Sequence, residues 1–150
     1  MHFHSKNDIA QALRDHRIQP TSQRVEIAHV LFEEGAEPGV DHHMSADEVL
    51  ERVNADYHRV SKATVYNTLR LFEETGLVRA VVVSSNKVFF DANTEPHHHL
   101  YDEATGTLRD IPAEDIDTQQ LFKKLPDGVS GNDLDIVVRV RGQEQDAETP

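Results

Sequence analysis

Three consecutive histidines, His97-His98-His99, are the residues of this chain best suited to chemistry. They follow an apolar segment that ends at Asp91 and has the pattern of a β-hairpin. Because side chains alternate along a strand, His97 and His99 would face one side and His98 the other. Neutral imidazole is the commonest protein ligand for zinc, iron and similar ions. Together with the nearby carboxylates of Asp91 and Asp110, the pattern predicts a metal site.

The absence of cysteine from all 150 residues narrows the kind of metal site. Without cysteine the chain has no disulfides, no thiolate zinc site and no thiol redox sensor. Any metal must be held by nitrogen and oxygen ligands, which suits iron, manganese or zinc with five or six ligands. The alternative interpretation of the histidines is a solvated polar loop.

The composition limits the class of protein. A chain of 150 residues with 37% hydrophobic residues can form one ordinary domain or two small ones. No apolar run approaches the ~20 residues of a membrane helix and no signal peptide is visible, so we expect a cytoplasmic protein without membrane contact. The net charge of −12 argues against general nucleic-acid affinity, although basic residues in the less acidic N-terminal half can still cluster.

The first 80 residues have the apolar period of four helices, followed by strands. Helix-start residues precede each apolar stripe at Ser5, Pro20-Thr21-Ser22, Ser45 and Ser61, and Ser45-Ala46-Asp47-Glu48 is a capping box. The second helix is predicted to end at Gly35, before a polar stretch that runs to Met44, and the fourth at Gly76. A hairpin of Leu77–Val83 and Lys87–Asp91 follows, which makes the N-terminal half a winged helix, a form of helix-turn-helix.

The C-terminal half has a mixed pattern. Residues 99–111 predict two strands around Thr105-Gly106, residues 113–124 predict a helix, and Leu134–Val140 predicts a last strand. The polar tail from Gly142 is expected to be disordered.

The helix predicted over Ser61–Glu74 has two different faces. Its core-facing arc is apolar, whereas its outer arc carries the side chains that suit a recognition helix. Lys and Arg reach phosphates or guanine edges, Asn pairs with adenine, and Tyr and Ala contact a thymine methyl. The alternative is a solvated face of mixed charge. The candidate DNA-binding residues are Arg24, Arg59, Lys62, Ala63, Thr64, Tyr66, Asn67 and Arg70.

Five motifs follow one another along the chain: Pro20-Thr21-Ser22-Gln23-Arg24, His43-Met44-Ser45-Ala46-Asp47-Glu48-Val49, Ser61-Lys62-Ala63-Thr64-Val65-Tyr66-Asn67-Thr68-Leu69, Glu74-Thr75-Gly76-Leu77-Val78 and His97-His98-His99-Leu100. In this order they resemble the ferric uptake regulator (Fur) superfamily, over roughly residues 8 to 140. The resemblance implies an α+β fold with an N-terminal winged-helix DNA-binding domain and a small C-terminal α/β dimerisation domain. It also implies a homodimer that binds palindromic promoter DNA when metallated.

The resemblance also implies domain limits and a ligand set. The expected limits are residues 1–84 for the winged helix, 85–95 for the end of the wing and linker, 96–141 for the dimerisation domain and 142–150 for a disordered tail. One regulatory site per subunit would bind Fe(II) or Mn(II), with zinc also able to bind in vitro. Its ligands would bridge the two domains, with His43 supplied by the DNA-binding half. The implied ligands are His43, Asp91, His97, His99 and Asp110.

Two departures from the family pattern leave the signal open. The family's Cys-x-x-Cys element is replaced by Asp102-Glu103-Ala104-Thr105-Gly106, so the structural four-cysteine zinc site is absent. Cysteine loss beside the three histidines resembles the iron-response regulator (Irr) branch, which can also sense haem. Aspartate at both 91 and 110 resembles the PerR branch, in which iron promotes oxidation of a ligand histidine by peroxide.

The leading hypothesis is therefore a metal-dependent repressor, responsive to iron or manganese, that controls iron homeostasis. The alternatives are an iron-based peroxide sensor or a haem-responsive regulator of the same fold. A metal-dependent hydrolase is a third possibility, but no signature such as H-E-x-x-H supports it, and we expect the chain not to be an enzyme.

Overall fold

A computed structural model describes residues 5–33 and 43–141 of the chain. The chain divides into two compact units, Met1–Thr94 and Glu95–Pro150, each with its own three-stranded sheet. The predicted helix end at Gly35 and the predicted disordered tail from Gly142 lie outside the described residues. The finer domain limits stay a prediction.

Serine side chains cap three of the four N-terminal helices, as predicted. The Ser5 hydroxyl accepts the N–H of Asp8, and that of Ser61 accepts the N–H of Thr64, both at 3.2 Å. Each contact satisfies a backbone donor that a helix N-terminus would otherwise leave unpaired. Ser45 forms the full predicted capping box. The helices are α1 (Lys6–Asp15), α2 (Ser22–Glu33), α3 (Ala46–Val53) and α4 (Lys62–Glu74).

Helix α4 buries the arc that its sequence predicts. Val65, Thr68, Leu69 and Phe72 are buried and lie on one face, at the three- and four-residue spacing of a helix. The three apolar ones belong to a continuous apolar core with buried residues of α1, α2 and α3. Packing on this core therefore leaves the opposite face of α4 at the surface.

The N-terminal sheet has strand order β1-β3-β2, with β1 at His43–Ser45, β2 at Arg79–Ser84 and β3 at Lys87–Asp91. The hairpin of β2 and β3 agrees with the predicted wing. Strand β1 differs from the predicted polar stretch, because its backbone pairs with β3 from Ser45↔Phe89 to His43↔Asp91. A strand of three residues is too short for the alternation of buried and exposed side chains to predict it from the sequence.

The C-terminal sheet places the three histidines on its central strand. Its order is β5-β4-β6, where β4 (His97–Asp102) and β5 (Thr107–Pro112) form an antiparallel hairpin and β6 (Val137–Val140) runs parallel to β4. Gly106 turns the hairpin with a positive φ of 72°, which favours glycine. Strand β6 is shorter than the predicted Leu134–Val140.

The helix predicted over residues 113–124 is wrong. The structure has a single 3-10 turn at Ala113–Asp115 and one α-helical turn, α5, at Gln119–Phe122. Between them Ile116 is extended, and the Asp117 carboxylate accepts the N–H of Gln119 at 3.1 Å. Aspartate and β-branched residues are weak helix formers, and such local bonds compete with the helix. Among the described helices, none is long and apolar enough to span a membrane.

Candidate metal centre and nucleic-acid interface

Two of the three histidines converge on one carboxylate in the C-terminal unit. His99 on β4 lies directly opposite Asp110 on β5, and His97 lies two residues earlier on the same strand. The Nε2 atoms of His97 and His99 are each 3.5 Å from Oδ1 of Asp110. One ligand atom from each of these residues lies within 4.8 Å of the others. The three groups can therefore contact one common ion.

The ring of His97 is fixed in the orientation that this contact requires. Its Nδ1 lies 2.7 Å from the backbone carbonyl oxygen of Glu95. A carbonyl oxygen only accepts, so Nδ1 carries the proton and the Nε2 lone pair of a neutral ring points towards Asp110. Metal-binding histidines usually hold their second ring nitrogen in this way.

His98 has a different partner. Its Nδ1 accepts the backbone N–H of Ile136 at 3.1 Å. The rings of His97 and His99, by contrast, are neighbours whose centroids are 4.6 Å apart. All three imidazoles are buried. The two alternate histidines thus form the candidate site, and the middle one bonds to the backbone just before β6.

The other two predicted ligands belong to the N-terminal unit and pair with each other across its sheet. His43 on β1 is the register partner of Asp91 on β3, so their side chains project from the same side of the sheet. Asp91 is fully buried, and its Oδ1 accepts the N–H of Asn93 at 2.9 Å. Burying a carboxylate costs free energy unless it accepts hydrogen bonds or binds a cation.

The donor atoms in the C-terminal unit fit a metal ion. They are imidazole nitrogens and a carboxylate oxygen, the types that bind divalent iron, manganese and zinc. Two of the three groups are buried, and Asp110 is only 24% exposed, so water competes weakly for them. The arrangement suits a tightly held cation.

The outer face of α4 is exposed as predicted. Lys62, Ala63, Asn67 and Arg70 are exposed, while Thr64 is half-buried. Tyr66 is 41% exposed, but its hydroxyl donates to Oδ1 of Asp47 at 2.7 Å. This hydrogen bond is the main reason that the pKa of Tyr66 is raised, with burial and the negative charge of Asp47 adding to it.

The two arginines predicted outside α4 both have contacts within the N-terminal unit. The Arg24 guanidinium donates to the Gln19 carbonyl at 3.1 Å, and with Thr64 and Asn67 it lines a groove of about 400 Å³. The Arg59 guanidinium forms an ion pair with Glu26 at 3.0 Å and stacks over the ring of Tyr57. One nitrogen of the Arg59 guanidinium is therefore already bonded within the unit.

Sequence reasoning missed two carboxylates. The sequence predicts Asp47 only as part of the capping box, although its Oδ1 also accepts the Tyr66 hydroxyl. The sequence predicts Asp135 only as part of a strand, although its Oδ1 lies 3.4 Å from Nδ1 of His99. The position of Asp135 follows from the parallel pairing of β4 and β6, which joins distant segments and has no local sequence signal.

The sequence matches known regulators over most of its length. A model of the ferric uptake regulator family matches residues 15–138. A peroxide-responsive repressor PerR of Staphylococcus saprophyticus is 29% identical over 125 residues, covering 83% of this chain and 80% of that protein. The PerR of Staphylococcus aureus strain Mu50 is 31% identical over 108 residues, covering 72% and 69%.

Solved structures of the same kind share the fold. The Pseudomonas aeruginosa ferric uptake regulator with manganese is 28% identical, with a TM-score of 0.68 over 89% of this chain and 97% of that one. The Campylobacter jejuni peroxide stress regulator is 26% identical, with a TM-score of 0.62 over 91% and 98%. The predicted fold class is confirmed: α+β, with an N-terminal winged-helix DNA-binding domain and a C-terminal dimerisation domain.

Proposed function

Because this chain belongs to the ferric uptake regulator family and is a metal-responsive regulator of that kind, we propose that it represses transcription in response to iron or manganese and controls iron homeostasis. The observation that carries the proposal is the convergence of the His97 and His99 Nε2 atoms on Asp110. Its likeness to transcription regulators, not to enzymes, argues against the hydrolase alternative.

The proposed cation site takes ligands from both units. His97, His99 and Asp110 would bind Fe(II) or Mn(II), and His43 and Asp91 would complete the set. Two observations support this: His43 and Asp91 are register partners, and only residues 92–96 separate Asp91 from His97. The similar Pseudomonas regulator was solved with manganese. A bound cation would supply positive charge to a group that includes two carboxylates.

Metal binding would control DNA binding by linkage. Since the proposed ligands come from both units, occupancy couples the DNA-binding unit to the C-terminal unit. A cation that favours the DNA-binding form by ~2–3 kcal/mol raises DNA affinity ~30–150-fold. In the proposed homodimer, two α4 helices would contact a palindromic operator with half-sites about one DNA turn (~34 Å) or a multiple apart. Such a regulator would act in the cytoplasm.

The test compares metal response in two histidine variants. Operator duplexes are first selected from a random pool with the wild-type protein and Mn(II). We expect Mn(II) to strengthen binding of the wild type and of His58→Ala, an exposed histidine outside the site. The His97→Ala variant should lose this response. A full metal response in His97→Ala would show that this site does not control DNA binding.

The proposed DNA interface has its own test. Arg70→Ala removes an exposed cation from the outer face of α4, and Arg109→Ala removes one from the C-terminal unit. Loss of an arginine contact to a base edge costs about 1–3 kcal/mol. We therefore expect operator affinity to fall roughly 5–150-fold in Arg70→Ala and to stay unchanged in Arg109→Ala. Equal losses in both would indicate a general charge effect.

Peroxide sensing is the second candidate function. It is favoured by the likeness to peroxide-responsive repressors and by aspartate at both 91 and 110. The test is mass spectrometry after anaerobic loading with Fe(II) or Mn(II) and a pulse of hydrogen peroxide. Sensing predicts that a peptide carrying His43 or His97 gains the mass of one oxygen atom with Fe(II) only. No oxygen gain with either metal would exclude it.

A further inference from the structure

Asp135 lies at the far edge of the His99 ring from Asp110. Its Oδ1 is 3.4 Å from His99 Nδ1, while Asp110 Oδ1 is 3.5 Å from His99 Nε2. We propose that Asp135 is a positioning residue, which holds His99 in the tautomer that presents Nε2 to the cation. This inference rests on the proposed metal site and adds to it a group that belongs to neither the predicted ligand set nor the predicted DNA contacts.

The chemistry of imidazole supports the assignment. A neutral ring carries one proton, so a lone pair on Nε2 for metal binding requires the proton on Nδ1. The Asp135 carboxylate lies 3.4 Å from Nδ1 of His99 and favours a proton there, because a lone pair on Nδ1 would face a negative charge. The Nδ1 atom of His97 also faces an acceptor, at the shorter distance of 2.7 Å from the Glu95 carbonyl oxygen. An outer carboxylate also raises the basicity of a ligand imidazole.

The backbone fixes Asp135 at this place. Ile136, the next residue, accepts the backbone N–H of His99 at 3.0 Å and donates its own N–H to His98 Nδ1 at 3.1 Å. Strand β6 then continues the pairing with β4. Because these bonds hold residue 136 against the histidine strand, Asp135 reaches His99 without ordering a flexible loop. A preorganised acceptor of this kind fixes a ligand more effectively than a mobile one.

The same geometry distinguishes positioning from direct ligation. The Asp135 carboxylate approaches Nδ1, whereas the three converging groups meet at Nε2. Its side chain is 33% exposed, while His99 is almost fully buried. Asp135 would therefore influence the cation only through the ring of His99, without touching it. Removal of its carboxylate should weaken metal binding without removing a ligand.

The experiment compares three variants of the full chain by Zn(II) competition against a chromophoric chelator. Loss of an outer-shell acceptor typically weakens metal affinity about 10–100-fold, and we expect this loss in Asp135→Ala. Asp135→Glu should retain most of the affinity, because its carboxylate accepts the same proton, whereas an asparagine amide can also donate to Nδ1 and favour the other tautomer. The matched control is Asp127→Asn, which removes a charge at an exposed position of the same unit. Its affinity should equal that of the wild type.

Two spectroscopic measurements separate positioning from a structural or ligand role. In the Zn(II)-loaded wild type, nitrogen-15 NMR should show the His99 proton on Nδ1, in slow exchange with water. That proton should exchange faster in Asp135→Ala. The Co(II) visible spectrum should keep the wild-type band positions and intensity, because the number of ligands is unchanged. A changed Co(II) coordination would instead make Asp135 a ligand and overturn the inference.

Other results of these experiments would contradict either the positioning role of Asp135 or the proposed metal site. Wild-type affinity and proton exchange in Asp135→Ala would overturn the positioning role while leaving the metal site intact. An equal loss in Asp135→Glu and Asp135→Ala would contradict it as well, because a retained carboxylate acceptor should preserve the positioning. If the alanine variant does not fold, Asp135→Asn replaces it, since loss of the charge and gain of an amide donor should also weaken metal binding, and the wild-type NMR spectrum provides a second test. Failure of the wild type to bind any divalent cation would instead overturn the proposed function itself.

Discussion

The two units of the chain differ in what they bury. The N-terminal unit has a continuous apolar core to which its four helices contribute. In the described part of the C-terminal unit, only Tyr101 and Leu108 are buried hydrophobic residues, and three histidines are buried beside them. One unit is therefore held by apolar packing, and the other by strand pairing and polar contacts.

The exposed residues of the C-terminal unit extend this contrast. Five large apolar side chains there are 37–46% exposed, although such residues usually stabilise a domain by burial. The C-terminal unit therefore has little buried apolar area of its own to stabilise it. In the proposed metal-bound homodimer, a partner subunit and a cation would add stability to this unit. The exposed residues are Leu121, Phe122, Val129, Val138 and Val140.

The largest expected effect comes from the apolar core of the N-terminal unit. Phe72 is completely buried on α4, so Phe72→Ala removes a ring from the core and leaves a cavity. Such substitutions cost about 3–5 kcal/mol. We expect this loss in urea unfolding followed by far-UV circular dichroism, because α1–α4 are the main helices of the described chain.

The matched substitution in the C-terminal unit is Phe122→Ala. Phe122 is 46% exposed, so its truncation should change the same helical transition little. If Phe122→Ala destabilised the helices as much as Phe72→Ala, the two units would share one cooperative core, and the contrast between them would fail.

Divalent cation should have the next largest effect, on the strands that carry the proposed ligands and not on the apolar core. A ligand at 100 times its Kd stabilises the form that binds it by about 2.7 kcal/mol. Hydrogen exchange with and without Mn(II) should therefore show stronger protection of β4 and β5, where His97, His99 and Asp110 lie. The amides of α1 should show no change. Uniform protection of α1 and β4 would contradict a metal effect centred on the C-terminal unit.

The same contrast explains what the sequence could predict. In the N-terminal unit, Ser45 and Ser61 sit before amphipathic stretches, and both helices begin as predicted. Local signals are enough there because caps and apolar period act over a few residues. The wing followed from strand alternation and a turn for the same reason.

In the C-terminal unit the decisive contacts join distant segments. Residues 113–124 have apolar residues at helical spacing, but Ile116 is extended and the Asp117 carboxylate accepts the N–H of Gln119 instead. The contact between Asp135 and His99 depends on parallel pairing across more than thirty residues, which no local pattern reports. The spacing of His97 and His99 did predict their shared side, because alternation within one strand is local.

A smaller effect should follow from removing the helix cap that precedes the outer face of α4. The Ser61 hydroxyl accepts the N–H of Thr64, and loss of such a cap costs about 0.5–2 kcal/mol. Ser61→Ala should reduce the free energy of unfolding of the helical transition by this amount. The control is Ser85→Ala in the exposed hairpin turn, which should change little. Equal effects of both substitutions would show that the Ser61 cap makes no specific contribution to stability.

The smallest expected effect comes from the ion pairs of Glu26 in the N-terminal unit. Glu26 on α2 pairs with Lys6 of α1 at 2.6 Å and with Arg59 at 3.0 Å. The hydrogen bond from Lys6 is the main cause that lowers the pKa of Glu26 below its ordinary value of 4.5, against the opposing effect of burial. Glu26 therefore binds a proton more readily in the unfolded chain than in the folded one. Its ion pairs contribute their full stabilisation above pH 4.5, and this stabilisation is lost as the pH falls through the lowered pKa.

Glu26→Gln should therefore destabilise the protein above that range by about 0.2–1 kcal/mol, as for other partly exposed ion pairs. Below the lowered pKa the variant and the wild type should have similar stability. Urea unfolding at neutral and acidic pH measures the difference, with the exposed Glu51→Gln as the charge-matched control. A destabilisation in Glu26→Gln that did not shrink with acid would assign the effect to packing. A value of several kcal/mol would mean that the N-terminal unit also depends strongly on polar contacts, and the division between the two units would lose its basis.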